Sequence, residues 1–232
     1  YLVNDHWSAD AVDGYKFLNL ADETVAVPWP ISLEKAELSE KDRAHPRLAD
    51  VEPLQPAPLL VVGANGQLGS ELVQQLEATG TPYIEATREQ IDVAEPSTWA
   101  DAYRWRSLRG IINAAAYTAV DTAETEQGRA QAWAANATGV AALARIADGA
   151  GIPLVHVSTD YVFDGSLPLG QEYTVDAPVA PLSVYGQSKA AGEMAARSVA
   201  RHYIVRTSWV MGNGKNFVEI MKSLAERGVE PT

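Results

Sequence analysis

The sequence predicts an α/β fold with a doubly wound, Rossmann-like parallel sheet, preceded by an N-terminal appendage that is mostly irregular or β. Two observations predict this class. From residue 59 onward, short apolar runs alternate with longer segments of helical spacing, and this alternation is typical of parallel βαβ units. The first apolar run ends in a glycine-rich turn that opens a helix, which is how many doubly wound sheets begin.

Each predicted helix or strand follows from the spacing of its apolar residues and from the glycine, proline or capping residue at its end. The helix at 67–79 carries Leu68, Leu72 and Leu76 on one face and is stopped by Gly80. Ser97 is a suitable N-cap for a helix that runs to about Trp105. The strands are expected at residues 59–62, 83–86, 110–113, 153–158 and 203–206, and the remaining helices at 130–147, 184–201 and 217–226.

The composition shifts near a proline-rich stretch. We therefore divide the chain into residues 1–54, a stiff linker at 55–58, and a domain at 59–232. Residues 15–18 and 24–27 are expected to be short strands. A segment of this length buries little core by itself, so it is read as a piece of something larger or as an appendage.

Composition excludes several classes of function. The net charge of −12 leaves no basic stripe for a nucleic-acid backbone, and there are no cysteines for disulfides or thiolate chemistry. No apolar run approaches the roughly 20 residues that cross a membrane. A cytoplasmic location fits these observations. No metal site is predicted, because the histidines are scattered, and His156 is read as a core residue.

The turn after the first strand has the spacing G-x-x-G-x-x-G, with Gly63, Gly66 and Gly69. Such glycines allow a tight turn, close approach of a pyrophosphate, and close packing of the helix, whose N-terminal N–H groups bind phosphate. Asn65, Gln67 and Leu68 would complete the cofactor site. The alternative is an ordinary surface turn.

The end of the second strand should select the nicotinamide cofactor. Arg88 favours NADPH over NADH because a basic residue accommodates the 2′-phosphate. The alternative is that Arg88 is a solvated loop cation. Asp92 and Val93 are expected to hold the adenine edge.

A Y-x-x-x-K pattern places Tyr185 and Lys189 on one face of a helix. A neighbouring lysine should lower the pKa of the tyrosine, which could then act as a general acid toward a carbonyl oxygen. The motif is weak alone. Thr159, at the end of an apolar strand, should meet these residues at the carboxyl edge of the sheet, unless it is only a helix cap.

Further candidates also follow strand ends. Ala114, Ala115, Ala116 and Tyr117 form a mostly small-residue segment that would let the cofactor approach. Asn136 could hold a water or a backbone carbonyl in a proton relay, or be an ordinary residue of the helix surface. The candidates for substrate binding are Thr118, Thr159, Asp160 and Trp209, of which Trp209 could equally be core.

Together these runs resemble the extended short-chain dehydrogenase superfamily and, more narrowly, the dTDP-4-dehydrorhamnose reductase family. The matching runs are 63–69, 113–121, 158–165, 185–193, 206–209 and 216–217. The resemblance covers residues 59–232 and stops before the segment with which family members complete the nucleotide-sugar site. It implies that hydride from NADPH reduces C4 of a 4-keto-6-deoxy sugar on dTDP. Tyr185 would then protonate the oxygen, Lys189 hold the nicotinamide ribose, and Thr159 orient the carbonyl.

Residues 1–54 resemble the C-terminal tail of a cupin-type dTDP-4-dehydrorhamnose 3,5-epimerase, through residues 1–3, 27–30 and 38–42. The catalytic histidine and aspartate of that family lie upstream and are missing, and Trp7 stands where a catalytic tyrosine is usual. The whole resembles a truncated epimerase–reductase fusion. Some reductases of the family dimerise with bound Mg²⁺, but no ligands for it are identified here.

Two rival interpretations stay open. The chain could be another sugar-nucleotide epimerase or dehydratase of the superfamily, which would not consume NADPH. It could also be a non-catalytic regulatory subunit that binds a cofactor, as in the subunit of methionine adenosyltransferase that resembles this family. The presence of Thr159, Tyr185 and Lys189 together argues against the regulatory subunit. A dehydratase would want acidic residues beside the catalytic hydroxyl, and Asp160 occupies such a place, but no Glu follows it.

Overall fold

A five-stranded parallel sheet with the strand order β2-β1-β3-β4-β5 organises the larger part of the protein. The computed structural model describes residues 17–51, 56–212 and 216–229, in two compact units, Tyr1–Gln55 and Pro56–Thr232. The strands are β1 Leu59–Val62, β2 Tyr83–Ala86, β3 Gly110–Asn113, β4 Leu154–Thr159 and β5 His202–Thr207. The order reverses between β1 and β3, so the predicted doubly wound sheet is confirmed, with its crevice at their carboxyl ends.

Helices cover the sheet and connect its strands. The described helices are α1 Glu40–Arg43 in the smaller unit, then α2 Gln67–Ala78, α3 Glu126–Trp133, α4 Val140–Ala150, α5 Val184–Ala196 and α6 Phe217–Glu226. A π-helical segment, Ala134–Gly139, joins α3 to α4 without a break. Thr125, Ser183 and Asn216 cap their helices through side-chain oxygens.

The core of the larger unit lies between the sheet and its helices. Leu60, Ile111 and Leu154 from the three central strands pack with Leu143 of α4. Trp99 belongs to the same cluster and is fully buried. A second, smaller apolar cluster contains Ala123, Ala132, Val184 and Tyr185.

The predicted helix at 97–105 is wrong. The segment forms two 3-10 turns, Pro96–Thr98 and Trp105–Ser107. The Trp99 indole N–H donates to the Asp92 carbonyl oxygen at 2.6 Å, and the Trp105 indole N–H donates to the Ala100 carbonyl oxygen at 2.7 Å. Burial of Trp99 with its polar N–H satisfied overrides the weak helical spacing.

Two other helix boundaries differ from the prediction. The helix expected at 130–147 begins at Glu126, because the Thr125 hydroxyl accepts the Gly128 N–H at 3.1 Å. The helix expected at 184–201 ends at Ala196, where the backbone tightens and the Ser198 N–H donates to the Ala195 carbonyl oxygen at 3.1 Å. Terminal turns of this kind satisfy the last carbonyls of a helix.

The smaller unit is irregular across its described residues 17–51. The strand predicted at 24–27 is wrong, because Asp22 accepts the Thr24 and Val25 N–H groups in a turn and Ala26 has φ 46°. Asp22 also accepts the Leu48 N–H at 2.6 Å, and it is the one buried residue of this stretch. The expected strand at 15–18 lies partly outside the described residues. Trp7, residues 1–3 and Gln55 of the expected linker lie wholly outside them.

Candidate active site

The glycine turn after β1 has a geometry that only glycine permits. Gly63 has φ +80°, and a Cβ there would lie 2.8 Å from the Ala115 backbone nitrogen. A Cβ at Gly69 would lie 2.0 Å from the Gly63 carbonyl oxygen, and one at Gly66 would lie 3.2 Å from it. The N-terminus of α2 begins directly after this turn, so its first N–H groups point into the crevice of the sheet.

The segment after β3, residues 114–117, is fixed at both ends by buried asparagine amides. The Ala115 N–H donates to Asn113 Oδ1 at 3.2 Å. The Tyr117 N–H donates to Asn136 Oδ1 at 2.8 Å, and Asn136 Nδ2 donates back to the Tyr117 carbonyl oxygen at 3.0 Å. This small-residue segment therefore lies against the glycine turn in a defined conformation.

Asn136 also connects this segment to α5. Its Nδ2 donates to Ser188 Oγ at 3.0 Å, and Ser188 Oγ donates to the Tyr185 carbonyl oxygen at 2.7 Å. Asn136 is 1% exposed, so its interpretation as a helix-surface residue is wrong. The alternative expectation, that Asn136 holds a backbone carbonyl, agrees with its hydrogen bond to the Tyr117 carbonyl oxygen.

Thr159 and Tyr185 meet at the carboxyl end of β4, and both are buried. Burial raises the pKa of Tyr185 above its ordinary value, and a hydrogen bond with Thr159 partly offsets that effect. The expectation that a lysine would lower this pKa is therefore wrong for this structure. Thr159 Oγ1 also accepts the Tyr161 N–H at 3.2 Å, so it caps a turn as well as facing Tyr185. Tyr185 is a neutral phenol, the form that donates a proton.

Lys189 is 2% exposed, and its Nζ donates to the Val157 carbonyl oxygen at 2.7 Å. Burial lowers the pKa of Lys189 to about 8, and the charge of Glu193 opposes this effect. The motif on α5 thus places a phenol and an ammonium group on the same buried face.

His156 lies in the middle of β4 and is fully buried. Burial, with a contribution from the charge of Lys189, lowers the pKa of His156 to about 3, so the ring is neutral. Its Nδ1 lies 3.2 Å from Asn113 Nδ2, which donates to it. The geometry agrees with the expectation of a core histidine.

A cavity of about 520 Å³ opens beside the carboxyl ends of β4 and β5. Phe163 and Tyr173 stack at 4.2 Å on one wall, and the Arg206 guanidinium lies 5.0 Å from the Phe163 ring. Asp160 is a lining residue, next to Thr159. The cavity is therefore lined by both aromatic and charged side chains.

Trp209 follows β5 with φ 49° and is 66% exposed, so it is not a core residue. Its ring lies 4.4 Å from that of Phe217. Thr118 is exposed at the end of the small-residue segment. Neither side chain is brought to the phenol of Tyr185 by a described contact.

The predicted adenosine-side residues lie after β2. Arg88 is exposed, and its Nε forms an ion pair with Asp92 Oδ2 at 3.0 Å. The Asp92 backbone carbonyl accepts the Trp99 indole, and Val93 is buried. Arg88 is thus exposed to solvent and paired with Asp92, the Asp92 carbonyl is bonded to Trp99, and Val93 is buried.

The sequence reasoning missed Ser188 and Glu193. Both lie on the buried face of α5 that carries Tyr185 and Lys189, and both are almost completely buried. Polar residues three or four positions from a catalytic candidate on the same helix are the signal that could have identified them.

In the part of the chain that the structure describes, no helix is long and apolar enough to cross a bilayer. Over the same residues, no group of three histidine, aspartate or glutamate side chains is arranged to hold a metal ion.

Comparison with known proteins agrees with this geometry. A family model described as the RmlD substrate binding domain matches residues 57–230. A dTDP-4-dehydrorhamnose reductase of Sinorhizobium fredii is 44% identical over 177 residues, which are 74% of this chain and 57% of that protein. The chain therefore spans little more than half the length of this relative.

Two solved structures are similar in fold and sequence. The dTDP-4-dehydrorhamnose reductase of Clostridium acetobutylicum superposes with a TM-score of 0.68 at 36% identity, over 73% of this chain and 60% of that one. The reductase of Bacillus anthracis, solved in complex with NADP, gives a TM-score of 0.67 at 36% identity, over 74% and 60%.

Proposed function

The chain belongs to the RmlD substrate binding domain family, and from this premise we propose that it reduces the C4 keto group of dTDP-4-dehydro-L-rhamnose to dTDP-L-rhamnose with NADPH. The observation that supports the proposal is that Thr159 and Tyr185 interact at the carboxyl end of β4, while Lys189, on the same buried helix face as Tyr185, donates to the Val157 carbonyl oxygen. The relatives named above supply the reaction class.

The residues around the glycine turn fit a dinucleotide. A Cβ at Gly69 would collide with the turn, and the open N-terminus of α2 offers N–H groups to a pyrophosphate, which supports Gly63, Asn65, Gly66, Gln67, Leu68 and Gly69 as its binding site. Ala114, Ala115, Ala116 and Tyr117 would line its other side. Exposed Arg88 favours NADPH, with NADH as the alternative, while Asp92 and Val93 would border the adenine. When bound, the nicotinamide supplies a hydride.

The residues of the chain would supply the proton and the orientation. Tyr185, a protonated phenol whose pKa burial raises further, donates its phenolic proton to the oxygen that forms at C4. Thr159 fixes the direction of the carbonyl beside that phenol. Lys189 holds the ribose of the cofactor and places a positive charge near the phenolate that remains.

The sugar nucleotide would enter beside β4 and β5. Asp160 lines the cavity there, and Thr118 and Trp209 are both exposed to solvent, where a ligand could meet them. The stacked Phe163–Tyr173 pair offers an apolar surface to a deoxysugar or a base. These substrate roles are part of the proposal.

The test is oxidation of NADPH by the whole chain with dTDP-4-keto-6-deoxyglucose and a separately supplied 3,5-epimerase. Tyr185→Phe should lower turnover by about 10²-fold or more while NADPH affinity stays unchanged. The matched control is Tyr203→Phe, whose ring is exposed on β5 and which should keep full activity. Sugar conversion without net NADPH oxidation would favour the epimerase alternative. NADPH binding without any turnover, in a C-terminally extended chain as well, would favour the regulatory subunit.

We also propose that residues 1–54 are the C-terminal remnant of a cupin-type epimerase without catalysis of its own. In its described part Asp22, which accepts N–H groups of the backbone, is the one buried residue, so this part has no buried apolar residue of its own, which supports its being a piece of a larger fold. The chain alone, incubated with the keto sugar in D₂O, should then leave C3 and C5 undeuterated. Deuterium incorporation that requires this segment would contradict the remnant.

Homodimerisation with Mg²⁺ is a further proposal from the resemblance. Sedimentation in MgCl₂ and in EDTA tests it directly. A monomer in both would contradict it.

A further inference from the structure

Glu193 and Lys189 are buried groups of opposite charge on α5. They are four residues apart, so they lie on one helix face, and they are 1% and 2% exposed. Water is largely excluded from both groups, and the attraction between charges is stronger where water does not screen it.

Arg206 on β5 holds the carboxylate of Glu193 in place. Its Nε and NH2 atoms donate to the two carboxylate oxygens at 2.8 and 2.7 Å, a bidentate arrangement that fixes both position and charge. Arg197 adds a contact at 3.3 Å. Burial raises the pKa of Glu193, but hydrogen bonds from Arg206 and Ser158 and the charges of Arg206 and Arg197 bring it below its ordinary value, so the group is ionised.

The other groups around Lys189 do not supply a negative charge of this kind. Tyr185 on the same helix is neutral, and so is His156 on β4. Arg206 is positive and is neutralised by Glu193 itself. The elements packed against α5 carry the following titratable and charged side chains: His156 on β4, Asp160 and Tyr161 after it, His202, Tyr203 and Arg206 on β5, Glu124, Glu126 and Arg129 at and before α3, and Arg145 and Asp148 on α4. All of them except His156, His202 and Arg206 are exposed. Among these, Asp160 is exposed to solvent, and Glu124 is exposed and accepts the N–H at the start of the helix.

We infer that Glu193 is a positioning residue for the proposed reaction: its buried carboxylate, held by Arg206, keeps Lys189 protonated. A protonated Lys189 donates to the Val157 carbonyl oxygen and stays available to the cofactor ribose and to the phenolate of Tyr185. The charge effect is a property of the folded chain, whereas its consequence for catalysis rests on the proposed function.

The test is a pH titration of Lys189 in the whole chain by NMR, with ¹³Cε-labelled lysine and the signal assigned through Lys189→Met. In the unmodified protein the midpoint should be about 8. Glu193→Gln, which keeps the side-chain volume and removes the charge, should lower it by about one to two pH units. Glu193→Asp, the matched control, keeps the charge, and its Lys189 midpoint should lie within about half a pH unit of that of the unmodified protein. Equal midpoints in the unmodified and Gln forms would overturn the inference, because a purely structural carboxylate would leave Lys189 unaffected.

Glu193→Gln could fail to fold because it weakens the bond to Arg206, and the reciprocal measurement covers that case. The coupling of two titrating groups is symmetric, so Lys189→Met should raise the pKa of the Glu193 carboxyl, followed through its ¹³Cδ signal. An unchanged Glu193 titration would overturn the inference. NADPH binding measured on the same samples separates the two claims. A shifted Lys189 midpoint without NADPH binding refutes the proposed function alone, and NADPH binding with an unshifted midpoint refutes this inference alone.

Discussion

Replacement of Asn136 by alanine should lower the free energy of unfolding of the larger unit by about 3 kcal/mol, at about 1 kcal/mol for each hydrogen bond lost. The amide makes three of them, two to the Tyr117 backbone and one to Ser188, at 2.8, 3.0 and 3.0 Å. Its position is 1% exposed, so water replaces these bonds poorly, and the backbone groups of Tyr117 are left without their partner.

The assay is urea unfolding followed by helical circular dichroism, to which the irregular smaller unit contributes little. With a denaturant slope of about 2.5 kcal/mol per molar, the loss corresponds to a fall of about 1.2 M in the midpoint. Gln131→Ala, on the exposed side of α3, is the control and should change stability by less than about 0.5 kcal/mol. A fall of less than about 0.3 M for Asn136→Ala would refute the reasoning, because the three bonds would then contribute almost nothing net.

Three further predictions follow from named positions. Gly69→Ala should weaken NADPH binding by tenfold or more in a fluorescence titration, since its Cβ would lie 2.0 Å from the Gly63 carbonyl oxygen, and unchanged affinity would contradict the role of the turn. Gly149→Ala is the opposite case: no atom lies within 4 Å of its Cβ position in α4, so thermal unfolding should show a gain of up to about 1 kcal/mol, and a loss would contradict the open geometry. His156 has a folded-state pKa of about 3, below its unfolded value of 6.5, so its contribution to stability is present above pH 6.5 and is lost as the pH falls toward 3. Urea midpoints measured across that window should fall less steeply in His156→Gln than in the unmodified chain, and equal slopes would exclude a neutral buried ring.

Short strands and capped helices could be predicted because their signals are local. The strands at 59–62, 83–86 and 110–113 coincide with the structure, since each is a short apolar run bounded by glycine, proline or a polar residue. The helix expected from Ser97 failed because a distant requirement, burial of Trp99 in the core, decides the path of that segment. Local spacing carries no information about such packing.

The features of the candidate site also divide into those that local sequence spacing predicts and those that depend on the folded structure. The tight geometry of the glycine turn and the shared helix face of Tyr185 and Lys189 could be predicted because both follow from fixed spacing in the chain. The direction of the Tyr185 pKa could not, because it depends on burial, which outweighs the hydrogen bond from Thr159. Glu193 and Arg206 are 13 residues apart, and only the parallel pairing of β4 with β5 places the guanidinium of β5 against the carboxylate of α5.

A continuous series of contacts links the glycine turn, where the cofactor would bind, to α5, which carries Tyr185. The glycine turn lies against Ala115, whose backbone is held by Asn113, and the same segment is held at Tyr117 by Asn136. Asn136 reaches Ser188, and Ser188 reaches the Tyr185 backbone on α5. The side of the crevice that would hold the cofactor and the helix that would supply the proton are thus fixed relative to each other by the folded chain. Such pre-organisation lowers the cost of bringing reacting groups together, and it explains why residues far apart in sequence, Gly63 and Tyr185, can serve one site.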